Sequence, residues 1–306
     1  MKNKLYVLFS VDWEPDHGKW RAAGAEHDYG GILVGTPALE QLLDELNLPC
    51  TWFIEASQDP RRDLPSLFPP IVKRLAARSR DETGLHIHWR RAWQGNCPIY
   101  ETRDVAWVQS QVEQGVDSLS SCGIEPKSFR GGSFLHVARL PEVLAESAFK
   151  NDSTVLWNRC HRLNEGATAK RPEPILERVT SRLYRFCGRL PQPYFTGHDD
   201  VEAKGNSSIL EFPVFYNPLD LDSPWRRFLH RTVMSRAGLG SKPRFVSLFL
   251  HIDELTLSTA GRDEQCQVDE DAVRRLRATL NALAKRPNVA FVTLLQARAI
   301  LQGKLR

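Results

Sequence analysis

This sequence of 306 residues has no long hydrophobic run. Its first residues, Met1–Lys4, lead into an apolar run of only about five residues, which Asp12 ends and which is too short for the core of a signal peptide. Nowhere does the sequence approach the roughly 18 consecutive apolar residues of a transmembrane helix. From these absences we expect a soluble, cytoplasmic protein.

Cysteine pairs and an excess of one charge are also missing. No two of the six cysteines are spaced as a CxxC pair, which excludes a zinc ribbon and a thioredoxin-type redox motif, and we expect reduced thiols. The 41 Lys and Arg residues nearly balance 37 Asp and Glu residues, which leaves a net charge of +4. That excess is too small to indicate nucleic acid, and no recognition motif accompanies it, so no nucleic-acid partner is expected.

What the sequence does contain is an alternation of short apolar runs with segments of helical period. Strands are predicted over 5–11, 50–54, 84–88, 127–130, 209–214, 245–250 and 289–294, and helices over 36–46, 65–77, 104–119, 141–148 and 269–283. This order predicts parallel strands joined by helices, in one α/β domain over residues 1–306. We expect a closed or nearly closed β/α barrel of about seven or eight units, with a doubly wound open sheet as the competing arrangement.

Two long stretches, about 157–208 and about 216–244, interrupt the alternation and are predicted to be insertions. Arginine is concentrated in both. The second includes Trp225–Arg244, which holds no acid and has apolar residues at roughly helical spacing. A basic amphipathic helix of this kind can lie on an anionic membrane or over an anionic ligand, and an Arg-rich lid packed on the barrel is the simpler alternative.

Polar side chains collect where the predicted strands end. They are Asp12 and Glu14, His86 and His88, Arg130, Glu211, and His251 with Asp253. In a β/α barrel the carboxyl ends of the strands open on one face, where catalytic residues gather. We therefore expect these side chains to form a site.

Two pairs among them have the spacing of a metal site. Residues two apart on a strand point to the same side, which places Asp12 beside Glu14 and His86 beside His88. Two imidazoles and a carboxylate can ligate zinc or another first-row divalent cation, and a second carboxylate can act as a general base. The alternatives are acids in a solvated loop and histidines that hydrogen-bond to the backbone.

His251 and Arg130 complete the candidate chemistry. His251 directly follows an apolar strand and can act as a general acid, with Asp253 or Glu254 orienting it or raising its pKa. Arg130, which precedes two glycines, can pair with a catalytic carboxylate or bind substrate. Taken singly, a histidine at a strand end is more often structural, and an arginine more often forms a surface ion pair.

In their order and spacing these motifs resemble those of the polysaccharide deacetylase family, the NodB-homology domain, and its divergent branch in particular. Phe9–Glu14 (FSVDWE) resembles the family's acidic first motif, and residues 84–88 (GLHIH) resemble its metal-binding histidine motif. Phe129–Gly132 (FRGG) resembles the arginine motif, and Leu250–His251 the final Leu-x-His type motif. The family usually spaces its two histidines four residues apart, whereas here they are two apart.

The resemblance implies a distorted β/α barrel and a metal-dependent hydrolase that releases acetate from an N-acetylated sugar. By position it implies Asp12 as base, Glu14, His86 and His88 as ligands of a divalent metal (zinc as the first expectation), Arg130 in contact with the base, and His251 as acid. Trp89, Trp93, Glu211 and Asp253 are expected to bind the substrate, although aromatic residues near the site can equally belong to the core.

The arginines of the insertions favour a phosphate-bearing substrate, such as a nucleotide-linked or lipid-linked sugar of glycan biosynthesis. A lipid-linked substrate would bring the protein into peripheral contact with the inner face of the membrane. Two alternatives remain open: hydrolysis of another C–N bond, as in a cyclic imide or ureide, and a sugar-binding barrel without catalysis. The presence of Asp12, His86 and His251 argues against the inactive barrel.

Overall fold

Ten strands form one curled sheet in a computed structural model, which describes residues 4–16, 29–94, 97–135, 137–156, 192–219, 243–257 and 266–305. In chain order the strands of the described residues are β1 Leu5–Trp13, β2 Thr51–Glu55, β3 Glu82–Ile87, β4 Arg90–Gln94, β5 Cys97–Tyr100, β6 Ser128–Gly131, β7 Asn151–Asp152, β8 Tyr194–Phe195, β9 Leu210–Glu211, β10 Val214–Tyr216, β11 Arg244–His251, β12 Thr256–Leu257, β13 Gln267–Val268 and β14 Val289–Phe291. The helices are α1 Thr36–Leu46, α2 Leu64–Leu67, α3 Pro69–Ala76, α4 Val105–Ser121, α5 Leu140–Glu146, α6 Glu270–Ala284 and α7 Leu294–Leu301.

The main sheet has the strand order β10-β11-β1-β2-β3-β6-β7-β9-β8, with β14 beside β1. Its neighbouring strands are parallel except for the antiparallel pair β8–β9. Leu156, just past β7, bridges in parallel to Val214 of β10, whose backbone N–H donates to the Val155 carbonyl at 2.7 Å. Because this contact brings the two sides of the sheet together, the expected distorted β/α barrel is confirmed over the open doubly wound sheet.

Local signals set the helix ends. Asp104 caps α4, and its side chain accepts a hydrogen bond from the backbone of the first turn. Thr36 is the first residue of α1 and does not cap it; its hydroxyl accepts a hydrogen bond from Trp13 Nε1 at 2.9 Å. The helix predicted over 65–77 is divided into α2 and α3, because Pro69 begins a new helix and cannot donate to the hydrogen-bond ladder of the first.

Alternation along β1 separates the core from the polar end of the barrel. The odd-numbered residues from Leu5 to Trp13 pack in the main hydrophobic cluster with side chains of the flanking helices. Tyr6 and Leu8, on the opposite side of the strand, belong to a second cluster to which α7 contributes. Ser10 and Asp12 continue the row of Tyr6 and Leu8, so this side of the strand changes from apolar to polar toward its carboxyl end.

The insertions are described only in part. Residues 192–208 are described and include β8, which pairs with β9. The arginines predicted to matter between 157 and 191, and the predicted basic helix up to residue 242, lie outside the described residues. Within the described ranges, no helix is long and apolar enough to cross a membrane.

Candidate active site

Strand register brings the predicted site residues to one end of the barrel. Asp12 in β1 pairs with His251 in β11, and His86 lies near the end of the parallel strand β3, which β2 separates from β1. Glu14 directly follows β1, and His88 directly follows β3. Because these strands are parallel, their carboxyl ends and the side chains on them meet.

Arg130 is buried against Asp12 and carries donors in several directions. Its Nη1 donates to Asp12 Oδ1 at 2.5 Å, and its Nη2 donates to Ser10 Oγ at 2.7 Å and Ser153 Oγ at 3.1 Å. Its Nε donates to the Ser153 carbonyl at 3.1 Å, and the guanidinium lies 4.2 Å from the centre of the Phe53 ring. This contact fixes one Asp12 oxygen and leaves Oδ2 directed toward the remaining site residues.

His86 presents a buried lone pair to Glu14. Its Nδ1 lies 3.0 Å from the Arg130 carbonyl oxygen, an acceptor, so Nδ1 carries a hydrogen and, in the neutral ring, Nε2 holds the lone pair. Nε2 lies 3.7 Å from Glu14 Oε2 and has no hydrogen-bond partner among the described residues. A buried lone pair that faces a buried carboxylate oxygen is an arrangement that a cation stabilises.

His88 contacts the same carboxylate in the opposite tautomer. Its Nε2 lies 2.5 Å from Glu14 Oε2, and its Nδ1 lies 3.2 Å from Arg90 Nη2, which donates to it. Burial and the Arg90 charge hold the pKa of His88 well below its usual value, so the ring is neutral and Nε2 donates to Glu14.

The metal-ligating atoms of Glu14, His86 and His88 all lie within 4.8 Å of one another, which fits a divalent cation. His86 offers its lone pair as it stands. His88 can ligate through Nε2 only after Arg90 turns away from Nδ1. For His86 itself, burial lowers the pKa, but the Asp12 and Glu14 carboxylates outweigh that effect and the pKa is raised.

His251 is the partly exposed member of the site, with 27% of its side chain accessible. Its Nε2 lies 3.6 Å from Glu14 Oε1 and 3.8 Å from Asp12 Oδ2. Glu254 lies beside it: its Oε1 is 3.9 Å from His251 Nδ1, and its Oε2 accepts from the His251 backbone N–H at 3.1 Å and from Asn217 Nδ2 at 2.6 Å. Burial lowers the pKa of His251, but the hydrogen bond to Glu254 and the nearby carboxylates outweigh it and raise the pKa to about 10. A cation on Glu14 would offset part of that rise.

Two residues that the sequence analysis missed complete the surroundings of Glu14. Arg62 forms a bidentate pair with Glu55, with Nε–Oε1 at 2.7 Å and Nη2–Oε2 at 2.5 Å, and its Nη2 also lies 3.6 Å from Glu14 Oε2. Both side chains of the pair are buried. Glu55 directly follows the strand predicted over 50–54, so it carried the same strand-end signal as the other acids. Arg62 lies in a loop, and no feature of the sequence pattern indicated it as a site residue.

Three of the four residues expected to bind substrate are buried. Trp89 is fully buried, with its ring 5.8 Å from that of Phe129, and Glu211 is fully buried in β9. Neither offers a surface to a sugar, which corrects that expectation. Asp253 is buried with its backbone packed against the turn before α1, and Glu254 rather than Asp253 orients the histidine. Trp93 lies in β4, and its side chain is outside the described residues.

The glycine after β6 makes room for an imidazole. A Cβ atom on Gly132 would lie 2.5 Å from Cγ and Nδ1 of the His88 ring. Since no side chain fits at that distance, the second glycine of FRGG is needed for the position that His88 takes beside Glu14.

Comparison with solved structures shows which known proteins have a similar fold. A protein assigned as a polysaccharide deacetylase from Mycobacterium smegmatis is similar with a TM-score of 0.61 and 18% identity, over 100% of this chain and 93% of that one. A second protein assigned as a polysaccharide deacetylase, from Pseudomonas aeruginosa PAO1, is similar with a TM-score of 0.57 and 11% identity, over 99% of this chain and 93% of that one. This chain has the fold of the polysaccharide deacetylases.

The polysaccharide deacetylase fold is not confined to proteins of that description. The Puue allantoinase is similar with a TM-score of 0.57 and 12% identity, over 99% of this chain and 92% of that one. No family model matches the chain, and no curated protein matches it. At these identities the likeness establishes the deacetylase fold, and the chemistry has to be argued from the site.

Proposed function

We propose that this protein is a metal-dependent hydrolase that removes the acetyl group from an N-acetylated sugar. The observation that carries the proposal is the meeting of a base candidate, a metal-binding group and an acid candidate at one end of the barrel. Asp12 is held by Arg130, the ligand atoms of Glu14, His86 and His88 converge, and His251 lies within 4 Å of both carboxylates.

In this reaction a C–O bond forms between water and the acetyl carbon, and the C–N bond to the sugar breaks. Asp12 Oδ2 accepts a proton from the water while Arg130 holds Oδ1. His251, whose raised pKa keeps it protonated at neutral pH, delivers a proton to the departing amine. Glu14, His86 and His88 would hold a divalent cation, which when bound would supply Lewis-acid chemistry at the carbonyl and at the attacking water.

The test is acetate release from an N-acetylated amino sugar by the purified chain. Asp12→Asn and His251→Ala should each slow acetate release by about a hundredfold to ten-thousandfold, the usual contribution of a general base or acid. His198→Ala, at an exposed histidine outside the site, is the matched control and should leave the rate unchanged. A wild-type rate in either site variant, or an undiminished rate in chelator, would contradict the mechanism.

The likeness to an allantoinase favours one other function, hydrolysis of a cyclic ureide. The same base, metal-binding group and acid could open such a ring, and the two candidates differ in substrate. Incubation of the protein with a cyclic ureide, monitored by loss of the ring, distinguishes the ureide hydrolase from the deacetylase. Ring opening without acetate release from amino sugars would favour this second function.

We further propose that the acetylated sugar carries a phosphate, as in a nucleotide-linked or lipid-linked intermediate of glycan biosynthesis. Support comes from a cavity of about 200 Å³ beside His88, between the loop after β2 and strand β4. Its walls carry four guanidinium groups, those of Arg61, Arg62, Arg90 and Arg91, and two carboxylates, those of Glu55 and Asp59. Because His88 belongs both to this cavity and to the metal-binding group, one ligand can reach both.

The phosphate proposal is tested by comparing a phosphorylated with an unphosphorylated acetylated sugar. Arg91→Gln, at a partly exposed wall residue, should raise the KM for the phosphorylated sugar about tenfold, which corresponds to about 1.4 kcal/mol, and leave that for the neutral sugar unchanged. Equal effects on both sugars would contradict it. Sedimentation with anionic and neutral liposomes tests the lipid-linked version, since equally poor binding to both would count against membrane contact.

A further inference from the structure

Two buried acids lie next to the residues that hold Arg130. Asp152 in β7 and Glu211 in β9 are register partners on neighbouring parallel strands, and both are fully buried. The mechanism proposed above uses neither. Isolated carboxylates are costly to bury without a cation or a full set of donors, so their presence in the barrel needs a physical account.

Each of the two carboxyl groups has one oxygen with a donor and one without. Asp152 Oδ1 accepts from Thr154 Oγ1 at 2.5 Å, and Glu211 Oε1 accepts from the Val155 backbone N–H at 3.0 Å. Asp152 Oδ2 and Glu211 Oε2 have no donor in the part of the chain that the structure describes. Because Asp152 and Glu211 are register partners on adjacent parallel strands, their side chains project to the same side of the sheet, where these two oxygens can approach each other. Two acceptor oxygens can make a hydrogen bond there only if one of them carries a proton.

The segment between these acids holds Arg130 in place by two routes. Ser153, directly after Asp152, accepts from Arg130 through both its carbonyl and its hydroxyl, and that hydroxyl donates to the Phe212 carbonyl at 2.9 Å. Thr154 accepts from the Gly131 backbone N–H at 2.8 Å while donating to Asp152. The guanidinium and the backbone beside it are thus both anchored to the segment that Asp152 and Glu211 fix.

We propose that Asp152 and Glu211 share one proton and form a positioning pair that, through Ser153 and Thr154, holds Arg130 on Asp12. The inference rests on the proposed function where it treats Asp12 as the base. In the pair the shared proton lies between Glu211 Oε2 and Asp152 Oδ2, while Asp152 Oδ1 and Glu211 Oε1 go on accepting from Thr154 and from the Val155 N–H. One negative charge therefore remains, and the Arg130 charge acts on both acids.

The electrostatics agree with this geometry. Burial and the Asp152 charge raise the pKa of Glu211 well above its ordinary value, and burial raises the pKa of Asp152 to about 6. Among the described residues, the Arg130 charge lowers the pKa of both acids, and the Tyr194 phenol of β8 has its pKa raised by burial and then by the two acids. Both directions favour retention of a proton by the pair, and the Asp152 charge favours Glu211 as the member that holds it.

The shared proton is tested directly by infrared spectroscopy of the full-length protein at neutral pH. We expect the carbonyl band of a buried protonated carboxyl group in the wild type and its loss in Glu211→Gln. Absence of that band in the wild type would overturn the proposal. This measurement does not depend on any activity, so it still decides the question if the protein proves not to be a deacetylase.

The positioning role is tested by the rate. Glu211→Gln keeps an N–H donor toward Asp152 and should retain kcat within about threefold, whereas Glu211→Leu removes the donor and should lower kcat about tenfold or more with little change in KM. An equal loss in both variants would show that the donor is not what matters and would overturn the role. If Glu211→Leu does not fold, Ser153→Ala serves in its place, because it removes one acceptor of Arg130 and should lower kcat in the same way.

Discussion

Two buried groups of acids lie on either side of Arg130, and their surroundings differ. Glu14 is within 4 Å of nitrogen atoms of three histidines and of Arg62. Asp152 and Glu211 face each other, with donors from a hydroxyl and a backbone N–H. Both are removed from water, so their neighbours decide their charge. The Glu14 carboxylate is surrounded by nitrogen atoms, which suits the proposed cation site, whereas the two facing acids suit the proposed shared proton.

Arg130 connects the two groups. It donates to Asp12 on the side of Glu14 and to Ser153 on the side of the pair. A single guanidinium therefore lies between a carboxylate that the proposed reaction protonates and an acid pair that keeps its own proton. We therefore expect changes in the Glu14 group to alter metal binding and rate most strongly, and changes in the Asp152–Glu211 pair to alter the rate less and to change the pH dependence of stability.

The largest effect is expected from His86→Ala. We expect the wild type to hold one divalent ion per chain and the variant to lose it, with acetate release reduced about a thousandfold or more, because several kcal/mol of transition-state stabilisation are lost with the metal. His88→Ala should weaken metal binding less, about tenfold to a hundredfold, since His88 donates to Glu14 in the tautomer that Arg90 favours. Metal analysis of the purified variants is the measurement. Equal metal content in His86→Ala and wild type would refute the metal site.

A smaller effect is expected when the ion pair between Arg62 and Glu55, beside Glu14, is broken. Glu55→Gln leaves the Arg62 charge buried without its bidentate partner, which should cost about 3–5 kcal/mol in the free energy of unfolding. Denaturant unfolding measures this cost. Glu142→Gln, at an exposed ion pair with Arg139, is the matched control and should not move the midpoint. A midpoint shift of similar size in the control would argue against the importance of burial.

The smallest effect is expected in the pH dependence of stability. Because the folded protein raises the pKa of Glu211 above 4.5, the unfolded chain releases this proton first as the pH rises. Between pH 4.5 and the raised pKa the folded state binds more protons than the unfolded state. The contribution of Glu211 to the free energy of unfolding is therefore complete below pH 4.5. It is lost as the pH rises, by about 1.4 kcal/mol per pH unit for one proton. Glu211→Gln lacks this proton. Unfolding curves of both proteins over this range should diverge, and parallel pH dependence would contradict the assignment.

Sequence periodicity predicted the barrel and much of the candidate site, because both depend on where the strands lie and end. The two-residue repeat placed Asp12 with Glu14 and His86 with His88. Applied one position further, the same repeat puts Trp89 on the opposite side from His88, in the core, and this is where the structure has it. The error on Trp89 came from judging an aromatic residue by its nearness in sequence to the histidines.

Other parts of the site depend on contacts that sequence spacing does not encode. Arg62 reaches Glu55 and Glu14 from a loop, and loop conformation has no period. Glu211 carried a strand-end signal, but only the pairing of β7 with β9 shows that its neighbour is Asp152 rather than a sugar. The choice of Glu254 over Asp253 as the residue that orients His251 depends on the short helical turn over Ile252–Leu255.

The close approach of Gly132 to His88 has an evolutionary consequence. A methyl group at position 132 would displace the imidazole from Glu14 without altering any residue that ligates or titrates. Relatives of this chain should therefore change positions 88 and 132 together, with a larger residue after β6 only where the histidine has been replaced by something smaller. A Gly132→Ala protein would keep every candidate ligand residue in its sequence, although His88 could no longer take its position in the proposed cation site.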